Sequence, residues 1–187
     1  MSLHEAMNQI KANNFEMTEK GLYIPSMGCF AQGVFRYAKR GEEEEQSFNL
    51  IVTQGLDYLV GVALKGISQV NSWYIAPFSA DVTVPSTWTA SNFSTNANEV
   101  TAYEALSRPE WQGGDVAVGA ANSFSAKAEI KATQNGVVIR GAGMLSSATK
   151  QGTVGTLLGA SRFPSAKTLD EGEILDIGYG LQISAAN

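Results

Sequence analysis

The feature that most constrains this chain is a strict alternation near its end. Leu175, Ile177, Tyr179, Leu181 and Ile183 take every second place, with Asp176, Gly178, Gly180 and Gln182 between them. Only a pleated strand, whose side chains point to opposite faces in turn, sorts such a stretch into one apolar and one polar side. Residues 124–132 repeat the pattern: Phe124, Ala126, Ala128, Ile130 and Ala132 alternate with Ser125, Lys127, Glu129 and Lys131. Two half-buried strands of this kind predict a sheet with one face on a core and one toward solvent. Two glycines on one face of the last strand predict a bend or a close approach by another group.

The remaining segments fit around these two. Residues 29–37, 47–53 and 156–160 read as strands, 21–25 and 99–103 as extended segments, and 73–76 as a strand broken at Pro77. Asn135-Gly136 is a strong hairpin signal, with residues 137–140 running back beside the preceding strand. Residues 54–65 place Leu56, Leu59, Val60, Ala63 and Leu64 at helical spacing and end at Gly66, which predicts one amphipathic helix with its apolar stripe in the core. Residues 88–98 read as a polar loop. Arg108-Pro109-Glu110-Trp111 reads as a turn or edge segment, since proline restricts the residue before it. Residues 1–14 read as a short helix. Ser2 and Glu5 have capping-box spacing, and Leu3, Ala6, Met7 and Ile10 share a face. These elements predict a mainly β fold: an antiparallel β-sandwich, jelly-roll-like, over residues 48–187. One inserted helix and an N-terminal helical and extended arm over residues 1–47 complete it.

Composition narrows the chemistry. Among 187 residues there are 19 glycines, one cysteine and one histidine, and the formal net charge is −5. One Cys and one His exclude an internal disulfide framework or a Cys/His zinc site. The acidic balance argues against nucleic acid as a direct partner. No run of about 18 apolar residues predicts a membrane helix. The opening Met1-Ser2-Leu3-His4-Glu5-Ala6-Met7 lacks the basic and apolar regions of a secretory signal.

Candidate catalytic groups are few. His4 sits on a marginal helix, and Cys29 has no second histidine to activate it. Asp170, Glu171, Glu173 and Asp176 form an acidic cluster that would suit glycoside hydrolysis if two carboxylates stood roughly 5–10 Å apart. Asp170-Glu171-Gly172 reads instead as an ordinary turn before the last strand. The run Glu42-Glu43-Glu44-Glu45 reads as a solvated loop. No nucleotide-binding glycine motif occurs. The expectation is a protein without enzymatic activity, catalytic residues, cofactor or metal.

One order of segments is familiar. Asn49-Leu50-Ile51-Val52-Thr53-Gln54-Gly55-Leu56-Asp57-Tyr58-Leu59 is followed by Ser72-Trp73-Tyr74-Ile75-Ala76-Pro77-Phe78, by Glu99-Val100-Thr101-Ala102-Tyr103 and by Arg108-Pro109-Glu110-Trp111. Then come Thr149-Lys150-Gln151-Gly152-Thr153-Val154-Gly155-Thr156-Leu157 and Leu169-Asp170-Glu171-Gly172-Glu173. This order, over about residues 48–184, resembles a family of small structural proteins of tailed bacteriophages found among head genes. The resemblance implies a capsid decoration or cement role, with the major capsid protein as partner. It also implies a place in the virion, on the phage head, after synthesis in the host cytoplasm.

The residues suit such a role. Small polar residues and low charge density favour wet, extended interfaces, so a homo-oligomer is expected, a trimer before a dimer. Residues 1–25, if extended at about 3.3 Å per residue, span roughly 80 Å. Leu3, Met7, Ile10 and Phe15 are the arm residues expected to bury against another subunit. The competing reading is a tail or head-fibre adhesin that holds host surface glycan on exposed aromatics such as Trp88 and Trp111.

Overall fold

The computed structural model describes residues 16–18, 21–23 and 29–185. Ten strands and two helices follow one another among them. The protein divides into two units, Met1–Ala31 with Ile183–Asn187, and Gln32–Gln182. The sequence-based boundary at residue 47 falls inside a strand of the second unit. In the first unit, β1 (Glu16–Thr18) and β2 (Gly21–Tyr23) form an antiparallel pair.

The other eight strands belong to one sheet. They are β3 (Cys29–Lys39), β4 (Glu45–Ile51), β5 (Tyr74–Phe78), β6 (Ala120–Asn122), β7 (Ala128–Lys131), β8 (Val137–Leu145), β9 (Leu157–Leu169) and β10 (Ile174–Ala185). Their order is β5-β8-β9-β4-β3-β10-β6, with β7 also on β10. The fold is therefore mainly β, as expected. Its main element is an antiparallel sheet curled into a half-barrel.

Residues 137–140 do not run back beside the preceding strand. β7 pairs with β10, while β8 pairs with β9 and β5. The Asn135-Gly136 turn thus joins two strands that are not partners. Only Gly136 takes a left-handed φ there, at 73°. The tight hairpin turn that Asn-Gly favours needs positive φ at both central residues.

The alternation behaves as the pattern requires over Ala128–Lys131 and Leu175–Tyr179, whereas residues 124–127, expected to begin the strand, form a turn and Ile183 is exposed. Leu175, Ile177, Tyr179, Ala128 and Ile130 are buried in one core with Phe35, Tyr37, Ile139 and Phe163. A second apolar cluster lies on the other face. It contains Ala76, Phe78, Trp88, Phe93, Leu145 and Ala160. β8 lies between both clusters and serves each from one face, and its register shifts between Ile139 and Gly141. Across that shift β8 moves two residues while β9 moves five, from Ile139 opposite Lys167 to Gly141 opposite Arg162, and the face that later β8 residues meet is reversed. Val137 and Ile139 face the first core, and after the shift Ala142 and Met144 do so, leaving Leu145 for the second. A Cβ on Gly141 would lie 2.2 Å from the Phe78 ring, and one on Gly143 2.6 Å from the Phe93 ring. These glycines are the sockets in which the outer aromatics sit.

That outer cluster contains a helix that the sequence pattern does not announce. Residues 88–98 are not a polar loop: α2 (Ala90–Ala97) occupies them, as the second helix after α1 (Thr53–Lys65). Thr89 and Asn92 form a reciprocal capping box at the α2 start, and Ala90, Phe93 and Ala97 turn inward. The strand at residues 74–78 also runs through Pro77 instead of stopping there. β5 is an edge strand, where proline is tolerated. Its outer side is covered by irregular backbone: the Ile75 N–H donates to the Pro109 carbonyl, and the Trp111 N–H to that of Trp73.

Candidate interaction surface

The acidic groups singled out by the sequence do not converge. Asp170 accepts the Gly136 N–H at 3.2 Å. Glu173 pairs with Lys39 at 2.6 Å, and Asp176 with Arg40 at 2.7 Å. The Asp170 N–H first, and then Lys39, holds the Glu173 carboxyl below its ordinary range. The cluster is thus a turn clamp and two ion pairs that join the end of β3 to the start of β10.

The acidic run is tied down in the same way. Glu42 and Glu45 both bind Lys167, at 3.0 and 2.8 Å, and Glu44 binds Arg36 and Lys127. Glu45 also accepts hydrogen bonds from the Tyr37 and Ser165 hydroxyls. Lys167 first, then Ser165, holds the Glu45 carboxyl low, while burial and Glu45 push the Tyr37 phenol far up. Among the described residues no group of three or more His, Cys, Asp or Glu is placed to hold a metal ion.

One polar pair lies fully inside. Arg108 Nε and Nη2 donate to the two Glu99 carboxylate oxygens at 2.7 and 2.8 Å, and neither side chain has exposed surface. Arg108 Nη1 also donates to the Ser147 carbonyl, and the Gln151 N–H donates to Glu99. The pair binds residues 99–108 to the 147–152 loop. Such a pair is a structural knot, satisfied from within the protein itself.

The feature that faces outward is apolar. Helix α1 buries only part of its apolar stripe, with Leu59 against the first core. Leu56, Val60 and Leu64 are 45%, 55% and 77% exposed. The buried positions are Gly55 and Gly61. A Cβ at Gly55 would sit 2.0 Å from the Leu158 carbonyl oxygen, so the helix lies against β9 on its glycine side. Leu56, Val60 and Leu64 are consequently turned away from the sheet. Ile67, just past the Gly66 cap, is 53% exposed and folds back over Gly61. On β4, Phe48 and Leu50 are also exposed, on the face opposite Ser47 and Ile51. The helix expected over residues 54–65 is present, and its stripe divides: Leu59 packs against the first core as expected, while Leu56, Val60 and Leu64 face outward. The two glycines at 55 and 61 are the signal that marks the inner side.

The aromatics proposed for glycan binding fall elsewhere. Trp88 is not a surface residue: it is buried edge-on against Phe78 and Phe93, with centroids 6.0 and 5.8 Å away. Trp111 is half-buried against the first core, and its indole N–H donates to the Tyr179 carbonyl at 2.9 Å. The arm residues Leu3, Met7, Ile10 and Phe15 lie outside the described residues, as does His4. No helix among the described residues is long and apolar enough to cross a membrane. No protein-family model matches the sequence, and no curated protein matches it.

Proposed function

We propose that this is a non-enzymatic virion structural protein, a capsid decoration or cement protein that binds the major capsid protein of a tailed phage. In this reading it is made in the host cytoplasm and ends on the phage head. The observation that carries it is the uncovered Leu56–Val60–Leu64 face on a helix whose other side is fixed to the sheet by glycine contact. Contiguous apolar surface on a fixed element is what a protein–protein contact uses. Self-association, as a trimer before a dimer, belongs to the same proposal, as does the burial of Leu3, Met7, Ile10 and Phe15 on a neighbouring subunit. So does a jelly-roll-like, two-layer packing of the curled sheet. The resemblance in segment order supplies the choice of a phage head over other assemblies.

The adhesin alternative, a tail or head-fibre domain for host glycan, loses one of its two named platforms with the burial of Trp88. The deciding measurement is the copy number of the protein in purified particles by quantitative mass spectrometry. A cement protein is expected at a number comparable to the major capsid protein. A number typical of a tail appendage would overturn the reading.

A further inference from the structure

We propose that Asn135 is a self-modifying residue, converted to aspartate and isoaspartate by chemistry that the neighbouring turn promotes. Asn135-Gly136 is the single Asn-Gly step of the sequence, and both residues are exposed. Glycine leaves the backbone nitrogen after an asparagine unhindered, and nothing lies within 4 Å of where a Gly136 Cβ would be. Two groups from the facing turn reach this step. The Gly136 N–H donates to Asp170 Oδ1 at 3.2 Å, and Asn135 Oδ1 accepts the Glu171 N–H at 2.9 Å.

Those two contacts are the ones that ring closure needs. The Gly136 nitrogen forms a bond to Asn135 Cγ and gives its proton to the Asp170 carboxylate. Negative charge grows on Asn135 Oδ1, where the Glu171 N–H already points. The bond from Asn135 Cγ to its amide nitrogen Nδ2 then breaks, that nitrogen takes up the proton from Asp170, and ammonia leaves. A five-membered succinimide remains. Solvent water opens it at either carbonyl, giving aspartate or isoaspartate. One water enters, one ammonia departs, and nothing is oxidised or reduced. A positioned proton acceptor and a positioned donor at a developing oxyanion are general means of lowering such a barrier.

The product changes what the two turns can do. A new carboxylate at residue 135 stands beside Asp170, and like charges at such range repel. The isoaspartate form also adds a backbone carbon to the turn joining β7 and β8.

The test follows the intact protein in mildly alkaline buffer, with aspartate and isoaspartate at residue 135 measured by peptide mapping. A synthetic peptide covering residues 130–140 gives the rate without the fold. The folded protein is expected to convert faster than the peptide. A folded protein that keeps Asn135 longer than the peptide overturns the proposal, and this comparison needs no variant. Asp170→Asn removes the proton acceptor. Glu171→Pro removes the donor while keeping the turn. Residue 171 is the second of four in a turn closed by the Glu173 N–H on the Asp170 carbonyl, with Gly172 at φ 83°, and proline suits that place. Each variant, checked for native circular dichroism, is expected to convert about tenfold more slowly or worse. Natively folded variants that convert at the parental rate overturn the assignment of those two groups.

Discussion

Arg108 and Glu99 face each other through two parallel hydrogen bonds at 2.7 and 2.8 Å with no exposed side-chain surface. Removing one member leaves the other charge buried and unpaired. Arg108→Met and Glu99→Gln are each expected to cost about 3–5 kcal/mol. Urea unfolding checks this. A loss within the range of ordinary surface substitutions would show that water reaches the site. The double replacement by apolar residues is expected to be milder than the harsher single one, because no orphaned charge remains.

The two inner glycines of α1 differ in what they touch. Gly55 abuts the Leu158 backbone carbonyl, whereas a Cβ at Gly61 would meet the end of the Ile67 side chain at 2.3 Å. Backbone does not yield, and a side-chain tip does. Gly55→Ala is therefore expected to lose about 1–3 kcal/mol by overpacking, and Gly61→Ala distinctly less. Paired thermal melts give the order, and equal losses would contradict it.

Glu45 supplies a pH dependence. Its carboxyl is held low, first by Lys167 and then by Ser165. A group with a depressed folded pKa stabilises fully above its unfolded value, near 4.3 for glutamate, and loses that contribution as pH falls through the folded value. Glu45→Gln is expected to be less stable than the parent at neutral pH and to converge with it in acid. Because the pair is partly exposed, the gap is small. Lys167 is raised by Glu45. Its share is present below the ordinary lysine range and disappears only as pH rises through the folded value. Curves that stay parallel into acid would rule this account out.

The exposed face of α1 separates stability from assembly. Val60→Glu and Leu64→Glu lie on solvent and are expected to shift folding stability by no more than about 0.5 kcal/mol. Under the proposed function the same changes abolish self-association or particle binding, read by sedimentation and by co-purification with particles. Unchanged association would remove this face from the interface.

Deleting residues 1–14 is expected to leave the melting of the sheet nearly unchanged while weakening particle attachment. A truncated protein that fails to fold would place the segment in the core.

Strands are more legible in this sequence than their partners. Period-2 patterns at Ala128–Lys131 and in β10 report burial directly, because alternation is a local property. Pairing is not local: Asn135-Gly136 reads as a hairpin, yet Val137 lies opposite Leu169. Helix α2 is hidden because its residues are mostly Ser, Thr and Asn, so only Ala90, Phe93 and Ala97 carry the period. Its one local cue is the Thr89–Asn92 spacing. The apolar face of α1 is legible and its direction is not, since spacing fixes a face without fixing what it meets. Arg108 and Glu99 stand in two separate segments, and nothing in either stretch announces a partner nine positions away.

The covered edge of β5 has a consequence for life at high density. Open strand edges recruit further strands, and molecules crowded together at one place are the most exposed to that hazard. Here Pro77 offers no N–H, its carbonyl is taken by Val100, and Pro109 and Trp111 occupy the adjoining positions. Copies packed side by side are thereby denied a template for fibre growth along β5.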